Sequence, residues 1–246
     1  SGTRKPRFTR QHRRIFKPAA SINILLKLGL FLLNLYKVSF VKKNMKKMIL
    51  TSDGITSNKI KKEFLRLLEK PASETKVLII YTLRKKSYIK YLRRVNTQLK
   101  NLGINKRNII YANVSNNIKK PKEYFDVIYS CGGNTFYILD RIRKTGFDKL
   151  IKNFVNRGGL YIGVSAGSII VHRTIKGVDG GKEGDVNDIG LRNLNALNLT
   201  HVGIFPHFRK DLIDDVRALK KSANWPVKEL RDGEALVILN NKIKKL

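Results

Sequence analysis

From Lys47 onward the chain alternates between two hydrophobic rhythms. Short runs that are apolar or of period two, KMILTS (47–52), KVLIIYTL (76–83), NIIYAN (108–113), FDVIYSCGG (125–133), LYIGV (160–164), LTHVGIFP (199–206) and ALVILNN (235–241), read as strands. The unbroken apolar character of KVLIIYTL predicts a strand covered on both faces. Between these runs lie segments of helical period. SNKIKKEFLRLLEK (57–70) sets Ile60, Phe64, Leu65 and Leu68 on one face. SYIKYLRRVNTQLKNLG (87–103) ends at Gly103, a C-cap signal. NTFYILDRIRKTG (134–146) offers Asn134 or Thr135 as N-cap and Gly146 as terminator. FDKLIKNFVNRGG (147–159) is a further helix, and another starts near Ala166. Strand–helix alternation at this spacing predicts an α/β fold, a doubly wound and mostly parallel sheet with helices on both faces. Such sheets bind ligands beyond the carboxyl ends of their strands. Gly132, Gly133 and Ser165 fall at such ends.

Residues 1–44 do not share this pattern and form a separate unit ahead of a 45–246 α/β domain. TRKPRFTRQHRRIFKP is a basic arm. SINILLKLGLFLLNLYKVSFV (21–41) is apolar but carries Asn23, Lys27, Asn34 and Lys37 in one stripe of a helix. Two lysines within a span cost roughly 2.5–3.5 kcal/mol each on insertion, which favours a helix lying at a membrane surface or on a partner over one that crosses. Peripheral membrane contact through residues 20–41 is therefore the expectation for this stretch, which supplies no catalytic group.

The formal charge of +33 changes the picture less than its size suggests. Thirteen Lys/Arg and no acidic residue lie in residues 1–47, and the remaining excess is mostly lysine spread over every expected helix. A nucleic-acid reader concentrates Arg/Lys on one element with aromatics interleaved. The body's charge reads instead as a solvated surface, with no specific nucleic-acid partner. The single cysteine, Cys131, excludes an internal disulfide framework and fits a cytoplasmic setting. No Cys/His cluster has metal-ligand spacing, and no G-x-x-x-x-G-K-S/T loop is present.

Candidate chemistry centres on Gly163-Val164-Ser165-Ala166-Gly167, at a strand-to-helix junction. This matches G-x-S-x-G, the elbow that holds a serine hydroxyl over the end of a sheet. A serine is a poor nucleophile until a base takes its proton. Of four histidines, His12 is in the basic arm, and His172 lies ~10 Å along the helix axis from Ser165. His201 and His207 bracket one strand, and only His207 is at its carboxyl end. The base is His207. The orienting acid is sought in GVDGGKEGDVNDIG (177–190), which offers Asp179, Glu183, Asp185 and Asp188, and spacing alone does not choose among them. Oxyanion donors are expected at Ala166, which opens a helix, and at Gly132, Gly133 and Asn134.

CGGNTF (131–136), GVSAGS (163–168), ALNL (196–199) followed by FPHF (205–208), the opening MILTSDG and the late LRDGEALVI together resemble, in order and separation, the peptidase E (aspartyl dipeptidase) family of serine peptidases. Cyanophycinase is a more distant relative. The likeness runs from about Met48 to Leu246 and does not cover residues 1–44. It implies a class I glutamine-amidotransferase-like fold and a Ser-His-Asp triad without cofactor. It implies Ser165 as nucleophile, His207 as base and, counting back from ALNL, Asp185 as acid, with Asp188 and Glu183 as the alternatives in the same loop. It also implies cleavage of small peptides after an N-terminal Asp, for which Arg209 and Lys210 are the nearest candidate cations. An α/β-hydrolase fits less well, because His207 follows Ser165 by only 42 residues. The opposing reading is an inactive member of the same fold that serves as a basic binding module.

Overall fold

The computed structural model describes residues 45–83 and 87–246, together with Gly2, with the side chain of Ser87 left out. The stretch expected to form an amphipathic helix at 20–41 lies outside the described residues. No helix among the described residues is long and apolar enough to cross a membrane.

The strands β1 (Lys47–Thr51), β2 (Val77–Tyr81), β3 (Ile109–Asn113), β4 (Val127–Ser130), β5 (Leu160–Val164), β8 (Ala235–Leu239) and β9 (Lys242–Lys245) form one sheet of order β3-β2-β4-β5-β1-β8-β9. The members from β3 to β1 run parallel, while β8 lies antiparallel to β1 and β9 antiparallel to β8. Their side chains alternate between two cores. Met48, Leu50, Leu78, Ile80, Ile128 and Tyr161 face one. Ile49, Val77, Ile79, Val127, Tyr129 and Ile162 face the other. Both faces are buried, so these strands read as continuous apolar runs rather than as alternating ones.

On the second face lie α1 (Asn58–Leu67) and α2 (Ser87–Asn101), through Ile60, Phe64, Val95 and Leu99. In α1 the buried stripe is Ile60, Glu63, Phe64 and Leu67, whereas Leu65 is 43% exposed. The stripe expected from sequence was thus turned slightly away from the one the sheet takes. The first face carries α3 (Thr135–Lys144), α4 (Phe147–Asn156) and α5, a short helix over Ala166–Ile169. Asn134, not Thr135, caps α3, its Oδ1 accepting from the Tyr137 N–H at 2.9 Å. The run expected as the strand LTHVGIFP shortens to β6 (Gly203–Phe205). It stands outside the main sheet and pairs in parallel with β7 (Val227–Glu229), with α6 (Ile213–Ser222) between them. This small unit brings Pro206 and His207 to the edge where the parallel strands end, beside Gly133 and Ser165.

Candidate active site

The elbow follows from close packing. Ser165 has φ 50° and ψ −115°, a backbone state that costs a non-glycine residue free energy and persists only where its surroundings hold it. Those surroundings are explicit. The Ser165 N–H donates to the Thr51 carbonyl at 3.0 Å, and the Ser168 hydroxyl donates to the same oxygen at 2.8 Å. Both glycines of the motif are needed for space. A Cβ on Gly163 would lie 2.7 Å from the Gly167 carbonyl oxygen, and one on Gly167 would collide with that of Ser130. Tyr161 Oη donates to the Gly167 carbonyl at 2.7 Å and fixes α5 from beneath.

Facing the elbow, the His207 Nε2 lies 3.0 Å from Ser165 Oγ, so the structure brings the expected serine and histidine together. His207 itself has φ 56°. Its Nδ1 lies 2.8 Å from Asp232 Oδ1. A carboxylate on Nδ1 holds the proton there and leaves Nε2 as the acceptor facing the serine. Partial burial pushes the Asp232 carboxyl up. Hydrogen bonds from Ser52 and His207, with the charges of His207 and Arg94, outweigh that and hold it below the ordinary aspartate range.

The carboxylate beside His207 is therefore Asp232 and not Asp185. The Asp185 Oδ2 accepts from the Thr135 N–H at 2.8 Å, at the start of α3. There the first turn has N–H groups without intrahelical partners, and its dipole favours an anion. Asn134 fastens the same loop, its Nδ2 donating to the Val186 carbonyl at 2.8 Å. The Asn134 side chain thus joins the start of α3 to the loop, Oδ1 accepting at the cap and one Nδ2 proton going to Val186. Glu183 turns away to Arg209, at 2.9 Å. Arg209 also reaches Asp211 at 3.3 Å, so this cation beside the base is already committed.

Asp232 lies in LRDGEALVI, and the hydrophobic pattern there gives no sign that it meets His207. The missing signal was strand direction. ALVILNN turns at Asn240-Asn241 into KIKK, with Leu239 paired to Lys242 across a two-residue hairpin. The far end of β8, preceded by Arg231-Asp232-Gly233, is thereby set where the parallel strands finish, Thr51 facing Ala235.

Two cavities open on either side of Ser165, and both are lined by Gly133, Ser165 and His207. One, of about 170 Å³, is walled by Ile169, His172, Glu183, Asp185, Ile204 and Trp225 among others. The second includes Tyr88, Tyr91, Arg94, Gly132 and Asp232. Gly132 lies directly against the serine, since a Cβ there would stand 3.2 Å from Ser165 Cβ. Gly133 has φ 137°, and a side chain there would strike Tyr88 Oη. The Ala166 N–H opens α5 on the other side of Ser165. His172 is buried against Trp225, with ring centroids 5.1 Å apart, and does not approach the serine's proton. Burial pushes the Cys131 thiol up to about 12, so it stays protonated and is no nucleophile. Among the described residues no group of three His, Cys, Asp or Glu side chains could hold a metal ion.

Comparison with known proteins agrees with this architecture. A crystal structure of a Listeria monocytogenes protein of the peptidase E kind superposes with a TM-score of 0.64 at 24% identity, covering 82% of this chain and 98% of that one. A peptidase from an acI-B1 Actinobacterium gives 0.61 at 16% identity, over 83% and 88%. In sequence, an uncharacterized peptidase of Listeria innocua is 35% identical over 130 residues, 47% of this chain and 60% of that protein. Peptidase E of Escherichia coli is 33% identical over 116 residues, 47% and 45% of the two chains. The matches thus span about half the length of these curated relatives. The model of peptidase family S51 matches residues 48–246, the whole α/β body that carries Ser165, His207 and Asp232, and the chain belongs to that family.

Proposed function

We propose that this protein is a serine peptidase that cleaves small peptides through an acyl-enzyme. Ser165 is the nucleophile, His207 the general base and acid, and Asp232 the orienting carboxylate. The observation that carries the reading is the hydrogen-bond line from Asp232 through His207 to Ser165, at 2.8 and 3.0 Å, on a strained elbow in a chain of family S51.

In this reading Nε2 takes the hydroxyl proton as Oγ attacks the scissile carbonyl carbon. The negative oxygen that forms is met by the Ala166 N–H at the start of α5 and by the Gly132-Gly133 backbone opposite. Nε2 then passes its proton to the departing amine. A water molecule repeats the sequence on the ester, releasing the acid and restoring the serine. Asp232 keeps its own charge throughout and stabilises the imidazolium. The chemistry requires neither cofactor nor metal. In this reading the cavity of about 170 Å³ beside Ser165 receives one side chain of the substrate next to the scissile bond.

Cleavage after an N-terminal Asp is the finer form of this reading, and it needs a free cation in the pocket. Arg209 is tied to Glu183 and Asp211, so preference for Asp should be weaker than the family likeness implies. A fluorophosphonate should label the protein stoichiometrically at Ser165. A panel of X-Ala and X-Leu dipeptides, with Asp among the X residues, should then show turnover and reveal the preferred residue. No labelling together with no hydrolysis would return the chain to the inactive binding-module reading.

A further inference from the structure

We propose that Ser52 is a positioning residue that locks the base and its acid together, a role that rests on the Ser165–His207–Asp232 reading above. Ser52 directly follows β1 and is fully buried. A buried hydroxyl needs partners, and this one has a particular set. The His207 backbone N–H donates to its Oγ at 2.8 Å. Its single proton goes to Asp232 Oδ1, at 2.7 Å. The same Oγ is 3.4 Å from His207 Nδ1. Since a backbone N–H can only donate and a carboxylate can only accept, the hydroxyl's direction is fixed by its neighbours.

The need for such a lock is visible in the groups it joins. The Asp232 side chain is 62% exposed, and in water a carboxylate on a turn samples several rotamers. His207 holds a left-handed backbone, a conformation that must be maintained from outside the residue. Ser52 belongs to neither of the turns that carry these groups. It extends β1, a central strand, and its own N–H donates to the Glu234 carbonyl at 3.3 Å, just beyond the acid. One rigid hydroxyl thus fixes the backbone of the base and the oxygen of the acid at once. Asp232 Oδ1 then receives both the Ser52 and the imidazole protons, and its place opposite Nδ1 no longer depends on solvent.

The test is Ser52→Ala, measured alone and in an Asp232→Asn background. The single variant should lose on the order of 10²-fold in kcat, the usual scale for a misplaced catalytic group. Its KM should stay within about two-fold, because Ser52 holds the reacting groups rather than the substrate. The fluorophosphonate labelling rate should fall with kcat. In the Asp232→Asn background the same change should cost several-fold less, since one of the two groups it positions is already disabled. A merely structural role would cost the same factor in both backgrounds, and that result overturns the proposal. So does a single variant as fast as the parent. Ser52→Cys keeps the volume with a weak donor and should fall between the parent and Ser52→Ala. If the alanine variant does not fold, parental kcat in Ser52→Cys overturns the proposal in its place. A parent chain that neither labels nor hydrolyses peptides would instead sink the peptidase reading itself.

Discussion

Two acidic segments meet the same edge of the sheet, and they behave differently. The loop 177–190 holds Asp179, Glu183, Asp185 and Asp188 and comes directly after the serine's helix. The turn 231–234 holds Asp232 and Glu234 and comes at the far end of the chain. The richer and nearer loop spends Asp185 on the start of α3 and Glu183 on Arg209. The sparser and more distant turn places Asp232 on the base. Carboxylate density along the chain does not decide which acid reaches an imidazole. Strand direction does. A parallel strand delivers the residues after it to the active edge, whereas an antiparallel one delivers the residues before it.

The comparison has meaning only if the serine is the nucleophile, and the largest expected effect tests that. Ser165→Ala should lose on the order of 10⁴–10⁶ in kcat and retain the parent's thermal midpoint. Parental turnover would remove the pivot on which both acidic segments are judged. Next comes the acid itself. Asp232→Asn leaves the imidazole in the wrong tautomer and should cost on the order of 10⁴ in kcat, with KM little changed. Asp185→Asn, assayed beside it, should cost far less. A reversal of those two losses would mean that the loop, and not the turn, supplies the catalytic carboxylate.

How much of this was legible in the sequence differs between the same two regions. The elbow could be read because its constraints are local. Gly163 and Gly167 have no room for a side chain, and Ser165 lies between them within one turn of chain. His207 could be read because it follows a strand whose direction was assigned correctly, even though β6 stands outside the main sheet. Asp232 could not be reached the same way, because its position depends on β8 reversing beside β1, which brings it to Ser52, 180 residues away in chain. The polar ring beneath the site was hidden for the same reason. Nothing in Thr51-Ser52-Asp53-Gly54 says that Ser52 will meet Asp232, or that Asp53 Oδ1 will accept from the Gly233 N–H at 2.9 Å. Asp185 and Glu183 were over-read because each had a plausible chemistry and their actual partners, a helix N-terminus and a surface arginine, lie in other elements.

A smaller effect separates binding from anchoring within the loop. Asp185→Ala leaves the Thr135 N–H without its carboxylate and removes an anion from the start of α3. The cost should be about 1 kcal/mol, as for loss of a helix cap. Thermal melting reads that directly. Because Asp185 also lines the cavity beside Ser165, the accompanying loss should fall on KM more than on kcat. A kcat loss equal to that of Asp232→Asn would contradict the division of labour between the two segments.

The smallest effect concerns Glu183, the loop carboxylate nearest in chain to Asp185 that pairs with a cation. Glu183 and Arg209 are each 53% exposed, so their pairing is a surface contact screened by salt. Glu183→Gln should therefore melt like the parent and hydrolyse neutral dipeptides at the parental rate. Its one consequence follows from Arg209, which keeps Asp211 but regains part of its guanidinium fork two residues after the base. A freed guanidinium near the site favours an acidic substrate. The ratio of kcat/KM for Asp-Ala over Ala-Ala should rise by about three-fold at low ionic strength and fall back as salt is added. An unchanged ratio would show that Arg209 does not face the substrate at all. A collapse of turnover on both dipeptides would show that the loop carries a carboxylate the reaction needs, and the contrast with the Asp232 turn would fail.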